Sequence, residues 1–138
     1  DKCSRIHGHS YAIHLDILGE VDEDNMLADF GKLKNSIRNI AEDLDHRALI
    51  PTENPEIVLE LDTDPDNVIL NMQGKKYSFP KTDVILLPIS TTTVEELSKY
   101  CLGRFLDDVD LPEGIKKISI GVDEGVGQGA WSSQVIER

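Results

Sequence analysis

Residues 7–18 read His7-Gly8-His9-Ser10-Tyr11-Ala12-Ile13-His14-Leu15-Asp16-Ile17-Leu18. From Ser10 to Val21 apolar and polar positions alternate. Tyr11, Ile13, Leu15 and Ile17 fall on one side, with Ala12, His14, Asp16 and Leu18 on the other. That period of two predicts a long strand with one buried face. His7 and His9 stand two apart at its entrance, so an extended backbone puts both imidazoles on the same side, with Gly8 leaving the space between them uncrowded. Such a pair can hold a Zn²⁺ ion, although His pairs also occur for other reasons and a catalytic zinc needs three protein ligands. Cys3 lies four residues upstream of His7, close enough to share the pocket, where a neighbouring cation would lower its thiol pKa. His14 faces the opposite side of the strand. His46 is distant in sequence and is a candidate third ligand.

Working outward, Met26 to Phe30 leads into a helix with Asp29 as a plausible N-cap. Leu33, Ile37, Ile40, Ala41 and Leu44 form its apolar stripe, and it ends near Asp45-His46. Arg47 to Pro55, punctuated by Pro51, Asn54 and Pro55, reads as a loop. Ile57–Asp62, Val68–Met72 and Lys76–Phe79 are β-like runs separated by turn residues, and Asp83–Leu87 is a short apolar run stopped by Pro88. A capping box, Thr92 with Glu95 or Thr93 with Glu96, opens a second helix carrying Leu97, Cys101, Leu102 and Phe105. Lys116–Glu124 alternates again, and a Gly-rich turn, Gly125–Gly129, links it to a last run, Ala130–Ile136, as a hairpin-like pair. Two strand regions flanking two amphipathic helices predict an α+β fold over residues 1–138 as one domain.

The chain has 138 residues, 39% of them hydrophobic, and a formal net charge of −12. That size and composition suit one packed core. The acidic balance disfavours nucleic acid and anionic membranes as partners, because phosphate binding needs a basic face. Two Cys in unlike contexts make no disulfide framework, and no apolar run reaches membrane-spanning length. A cytoplasmic location is the default expectation. Cys101 reads as a small core residue and Trp131 as core or interface.

Further residues carry possible chemistry. Asp45-His46 is either a surface His with a carboxylate nearby or a general acid/base whose partner orients it. Adjacent helical residues do not face each other, so direct coupling would need a non-helical backbone there. Glu124, at a strand end before Gly125, is either a solvated edge or a carboxylate that accepts paired N–H donors from a pterin-like or guanine-like ring. Thr93 and Glu95 are accounted for as helix-start residues.

Taken together these elements resemble the 6-pyruvoyltetrahydropterin synthase / 6-carboxytetrahydropterin synthase (QueD) family. The matches are Cys3-x-x-x-His7-Gly8-His9-Ser10-Tyr11, Ala28-Asp29-Phe30-Gly31-Lys32-Leu33-Lys34, Leu44-Asp45-His46, Thr93-Val94-Glu95-Glu96-Leu97 and a strand ending in Glu124. Residues 57–87 look like an insertion relative to the shortest members. The resemblance implies the tunnelling fold (T-fold): an antiparallel sheet with two helices on one side, assembled as an oligomeric barrel, typically a hexamer of two trimers. It implies Zn²⁺ on His7 and His9, with a third His on a strand preceding Asp1. It implies Cys3 as the catalytic thiol and Asp45 with His46 as a proton relay, usually supplied across a subunit boundary. Glu124 then anchors the pterin, and Thr93 and Glu95 line its pocket. The implied substrate is 7,8-dihydroneopterin triphosphate. Three residues between Cys3 and His7 are similar to the enzymes that release triphosphate and acetaldehyde on the path to queuosine or archaeosine. The alternatives are the pyruvoyl-forming synthase and a non-catalytic pterin- or purine-binding homologue. A triphosphate on an acidic chain needs local cations, and Arg5, Lys32 and Lys34 are candidates by position.

Overall fold

The computed structural model describes residues 5–20, 30–125 and 127–137. Cys3 and the expected Asp29 cap lie outside the described residues. Strand β1 (Tyr11–Gly19) follows the alternation: Tyr11, Ile13, Leu15 and Ile17 are half-buried, and the residues between them are exposed. It pairs antiparallel with β7 (Ile115–Glu124) so that Ile13 faces Val122, Leu15 faces Ile120 and Ile17 faces Ile118. Apolar cross-strand pairs of this kind fix the register, because a slip of one residue would turn every one of them to solvent. Strand β8 (Gly129–Val135) pairs antiparallel with the other edge of β7, giving the sheet order β1-β7-β8. As the central strand, β7 is the most enclosed; Ile118, Ile120 and Val122 are fully buried.

Two helices cover that face. Helix α1 (Phe30–Leu44) buries Leu33 and Ile40 and packs Ile37 and Leu44 beside them. Helix α2 (Val94–Asp108) buries Leu97, Cys101, Leu102 and Phe105, the stripe expected from its sequence. Thr93 is its N-cap, with Oγ1 accepting from the Glu96 N–H at 3.3 Å. Ser98, wholly buried on α2, shares a 2.8 Å hydroxyl hydrogen bond with Ser132 of β8, so the polar atoms at this contact are satisfied. Each large apolar side chain enclosed here contributes about 1.5–3 kcal/mol relative to exposure.

The segment between the helices departs from the sequence expectation in one place. Residues 47–55 are not all loop, because β2 (Ala48–Pro51) pairs in parallel with β6 (Val84–Leu87). Four residues are too few to show a period, and their partner lies far along the chain. Pro51, which lacks an N–H, sits at the strand's end, where least is lost. Between β2 and β6 runs an antiparallel meander of β3 (Ile57–Glu60), β4 (Asn67–Met72) and β5 (Lys75–Pro80). Its β4–β5 turn places Gln73 and Gly74 at φ 53° and 74°, the two left-handed residues of a tight hairpin. This meander packs on a second core of Ile50, Val68, Leu70 and Val84, with Tyr77 and Phe79 stacked at 6.2 Å.

Candidate functional site

The alternation of β1 continues back through Ser10, so His9 and Tyr11 share a face. Tyr11 is the cross-strand partner of Glu124. This register brings His9 Nδ1 to 2.7 Å from Glu124 Oε1. Glu124 is held at the strand's end because Gly125 turns the chain at φ 70° and the Glu124 N–H donates to Gln128 O at 2.6 Å. His7 Nδ1 donates to the Arg5 carbonyl at 2.7 Å. The two imidazole centroids lie 4.8 Å apart, edge to face. In both rings Nδ1–H is given to an oxygen acceptor, which leaves Nε2 as the lone-pair nitrogen of the neutral ring. A carboxylate or carbonyl behind the far nitrogen is the usual support of a metal-binding His. The donor chemistry of His7 and His9 therefore fits a Zn²⁺ ion. Among the described residues no group of three or more His, Cys, Asp or Glu is gathered to hold a metal. Tyr11 packs 6.2 Å from the His9 ring; burial, with the Glu124 charge adding to it, raises its hydroxyl pKa.

Asp45 and His46 follow the end of α1. The Asp45 N–H donates to Ala41 O, closing the last turn, and His46 then takes φ 56°. This left-handed cap position usually falls to Gly or Asn. It is the non-helical backbone that direct coupling required. His46 Nδ1 lies 2.8 Å from Asp45 Oδ1, and both side chains are largely exposed. The imidazole is thus oriented by its neighbour while its Nε2 faces outward.

Two clefts meet at this site. One, of about 550 Å³, is lined by His9, Tyr11, Asp45, His46 and Arg47 over an apolar floor that includes Leu97 and Val122. The other, of about 530 Å³, is lined by His7, His9, Thr91 and Thr92 and by Tyr77 and Phe79 of the meander. His9, Tyr11, Arg47 and Leu49 belong to both, so His9 stands on the ridge between them. Within one chain, then, His9, in contact with His7 and Glu124, shares the first cleft with the Asp45–His46 dyad.

Other expected residues fall elsewhere. Thr93 caps α2 and Glu95 is exposed; neither lines a cleft, whereas their neighbours Thr91 and Thr92 do. Lys32 and Lys34 line neither cleft, and Arg5 lines only the second. Cys101 is core, with burial pushing its thiol up to about 11, out of reach of nucleophilic work at neutral pH. Trp131 is not core. It is 56% exposed and lies over Gly121, with its ring stacked on His14 at 6.1 Å. Sequence reasoning gave no site role to Arg38 and Arg47, which line the first cleft; a cation directly after Asp45-His46 was the available signal for Arg47.

A three-stranded antiparallel sheet backed by two helices, with a supported His pair at a strand mouth, defines a T-fold enzyme. The solved 6-pyruvoyl tetrahydropterin synthase of Plasmodium vivax superposes with a TM-score of 0.87 at 28% identity, over 94% of this chain and 82% of that one. The family model for 6-pyruvoyl tetrahydropterin synthase matches residues 1–133, and the chain belongs to that family. A Methanocaldococcus jannaschii relative is 33% identical over 98% of this chain and 83% of its own length. One from Pyrococcus horikoshii is 31% identical over 89% and 71%. Both bear the name ‘Putative 6-carboxy-5,6,7,8-tetrahydropterin synthase’. The family is one of enzymes acting on small pterins. No helix among the described residues is long and apolar enough to cross a membrane.

Proposed function

We propose that this protein is a zinc-dependent 6-carboxy-5,6,7,8-tetrahydropterin synthase. It converts 7,8-dihydroneopterin triphosphate and water to 6-carboxytetrahydropterin, triphosphate and acetaldehyde, for 7-deazaguanine synthesis in the cytoplasm. The observation that carries this reading is the matched support of His7 and His9, each donating Nδ1–H to an oxygen and keeping Nε2 for a metal. The two archaeal relatives support the carboxy product.

His7 and His9 would supply two of the three protein ligands that a catalytic Zn²⁺ takes. The bound ion would act as a Lewis acid toward the hydroxyls of the substrate side chain. Glu124 accepts N–H donors of the pterin ring. One of its oxygens already accepts from His9, but a carboxylate has about four lone-pair sites, so the two duties are compatible. The segment of Thr93 and Glu95 would reach the ligand through Thr91 and Thr92, which line the second cleft. Cys3, as thiolate, removes a side-chain proton. His46, oriented by Asp45, returns one through Nε2. The exposure of His46 suits a relay completed by an adjacent subunit of a hexamer built from two trimers.

Incubating the zinc-loaded protein with 7,8-dihydroneopterin triphosphate tests this. Acetaldehyde should form in step with triphosphate, and Cys3→Ala should lose turnover while keeping zinc. Pyruvoyltetrahydropterin with no acetaldehyde would instead assign the reaction of the Plasmodium homologue.

A further inference from the structure

We infer that Arg38 and Arg47 form the subsite for the substrate's polyphosphate tail, in the first cleft beside Asp45–His46. The assignment rests on the pterin-triphosphate reading above and gives that substrate its anionic subsite. Arg38, Ala41, Glu42 and Asp45 recur at helical spacing, so one face of α1 turns all four toward the cleft. Arg47 follows the left-handed turn at His46 and reaches the same cleft from the other side of the dyad.

Charge pairing and a place on the first cleft together single these two out, since Arg5, also in no ion pair among the described residues, lines only the second cleft. Among the described residues Arg104 is the arginine held in an ion pair, to Asp43 at 2.6 Å. Asp45 and Glu124 each face a histidine, and neither is in an ion pair with Arg38 or Arg47. Glu42 lines the same cleft as Arg38 without an ion pair to it, and Arg preceding Glu by four is the weaker helical order. A chain with net charge −12 has ample carboxylates to neutralise its cations. Among the described residues Arg38 and Arg47 are exposed and in no ion pair, beside the proposed dyad, and are therefore available to an external anion. Guanidinium presents N–H donors in a fork that fits phosphate oxygens in pairs. The net negative charge opposes this only at long range, since screening confines it to about 8 Å at physiological salt. With the tail between Arg38 and Arg47, the pterin side chain lies between His46 and the His9 ridge, where proton transfer is needed.

The test measures, on the full zinc-loaded chain, KM for 7,8-dihydroneopterin triphosphate and the affinity for inorganic tripolyphosphate, with zinc content assayed alongside. Arg38→Ala and Arg47→Ala should each raise KM and weaken tripolyphosphate about tenfold, the loss expected for one charge-assisted contact. Affinity for 7,8-dihydroneopterin without the triphosphate should stay unchanged. Arg47→Lys should recover part of the loss, and Lys99→Ala, a charge removed outside both clefts, should have no effect. Tripolyphosphate affinity within twofold of the parent in both arginine variants would overturn the subsite. So would a loss confined to Arg5→Ala and Arg47→Ala, which would put the tail in the second cleft. If the protein binds tripolyphosphate through Arg38 and Arg47 but does not turn over the pterin, the reaction assignment fails and the anion subsite stands.

Discussion

His9 Nδ1 lies 2.7 Å from Glu124 Oε1, tying the residue two before β1 to the last residue of its partner strand. The contact serves a ring whose other nitrogen is the proposed metal ligand, so replacing the carboxylate should be felt at the metal. Glu124→Gln should weaken zinc about 10–100-fold, the usual cost of losing such a support. Competition with a chromogenic chelator measures it. An unchanged zinc affinity would mean that Glu124 serves the pterin alone.

At His46 the left-handed φ of 56° carries a cost that glycine would not bear. Glycine also loses more freedom on folding, so His46→Gly should stay within about 1 kcal/mol of the parent in a urea titration. Turnover should nevertheless fall by about 10²–10⁴, the range for losing a general acid or base. A variant that unfolds instead would make His46 a structural residue.

Burial raises the Cys101 thiol from its ordinary 9.0 to about 11. Because the folded pKa is the higher one, the neutral thiol's contribution is complete below pH 9 and is lost as pH rises from 9 to 11. That rise corresponds to about 3 kcal/mol at most. Unfolding free energy should therefore fall over that window, and fall less steeply in Cys101→Ala. Native protein should also resist alkylation at Cys101 by iodoacetamide until denaturant is added. Parallel pH slopes for parent and variant would refute the linkage.

Gly121 lies beneath an aromatic lid. A Cβ built there would stand 2.7 Å from Trp131 Cε2 and 2.8 Å from Cδ2, so the indole must move off. Gly121→Ala should cost about 1–3 kcal/mol, as overpacking does, and should shift the emission of Trp131, the single tryptophan. Unchanged fluorescence with unchanged stability would contradict this contact.

Much of the fold was readable because it is written in periods. The alternation of Tyr11, Ile13, Leu15 and Ile17 and the stripe of Leu97, Cys101, Leu102 and Phe105 each encode one buried face. Strand β2 was not readable, since Ala48–Pro51 exists only through its pairing with Val84–Leu87. The site divides the same way. His7 and His9 announce themselves by spacing, but the coupling of Asp45 to His46 depends on a positive φ that His does not signal. Arg38 and Arg47 gain meaning only when it is known which carboxylates are engaged elsewhere, a property of the folded chain and not of any motif. Of the two places expected for Trp131, core or interface, the core is excluded by its exposure, which an isolated aromatic in a short strand does not signal.

The wall of the second cleft formed by Tyr77 and Phe79 rests on Ile50, Val68, Leu70 and Val84, apart from the core beneath the helices. That separation should appear in amide hydrogen exchange as two opening units of different free energy. The meander would exchange by its own local opening, while Ile118–Val122 would exchange only with global unfolding. Sequence drift within residues 57–80 could then remodel one rim of the ligand pocket while the scaffold that aligns His9 with Glu124 retains its stability.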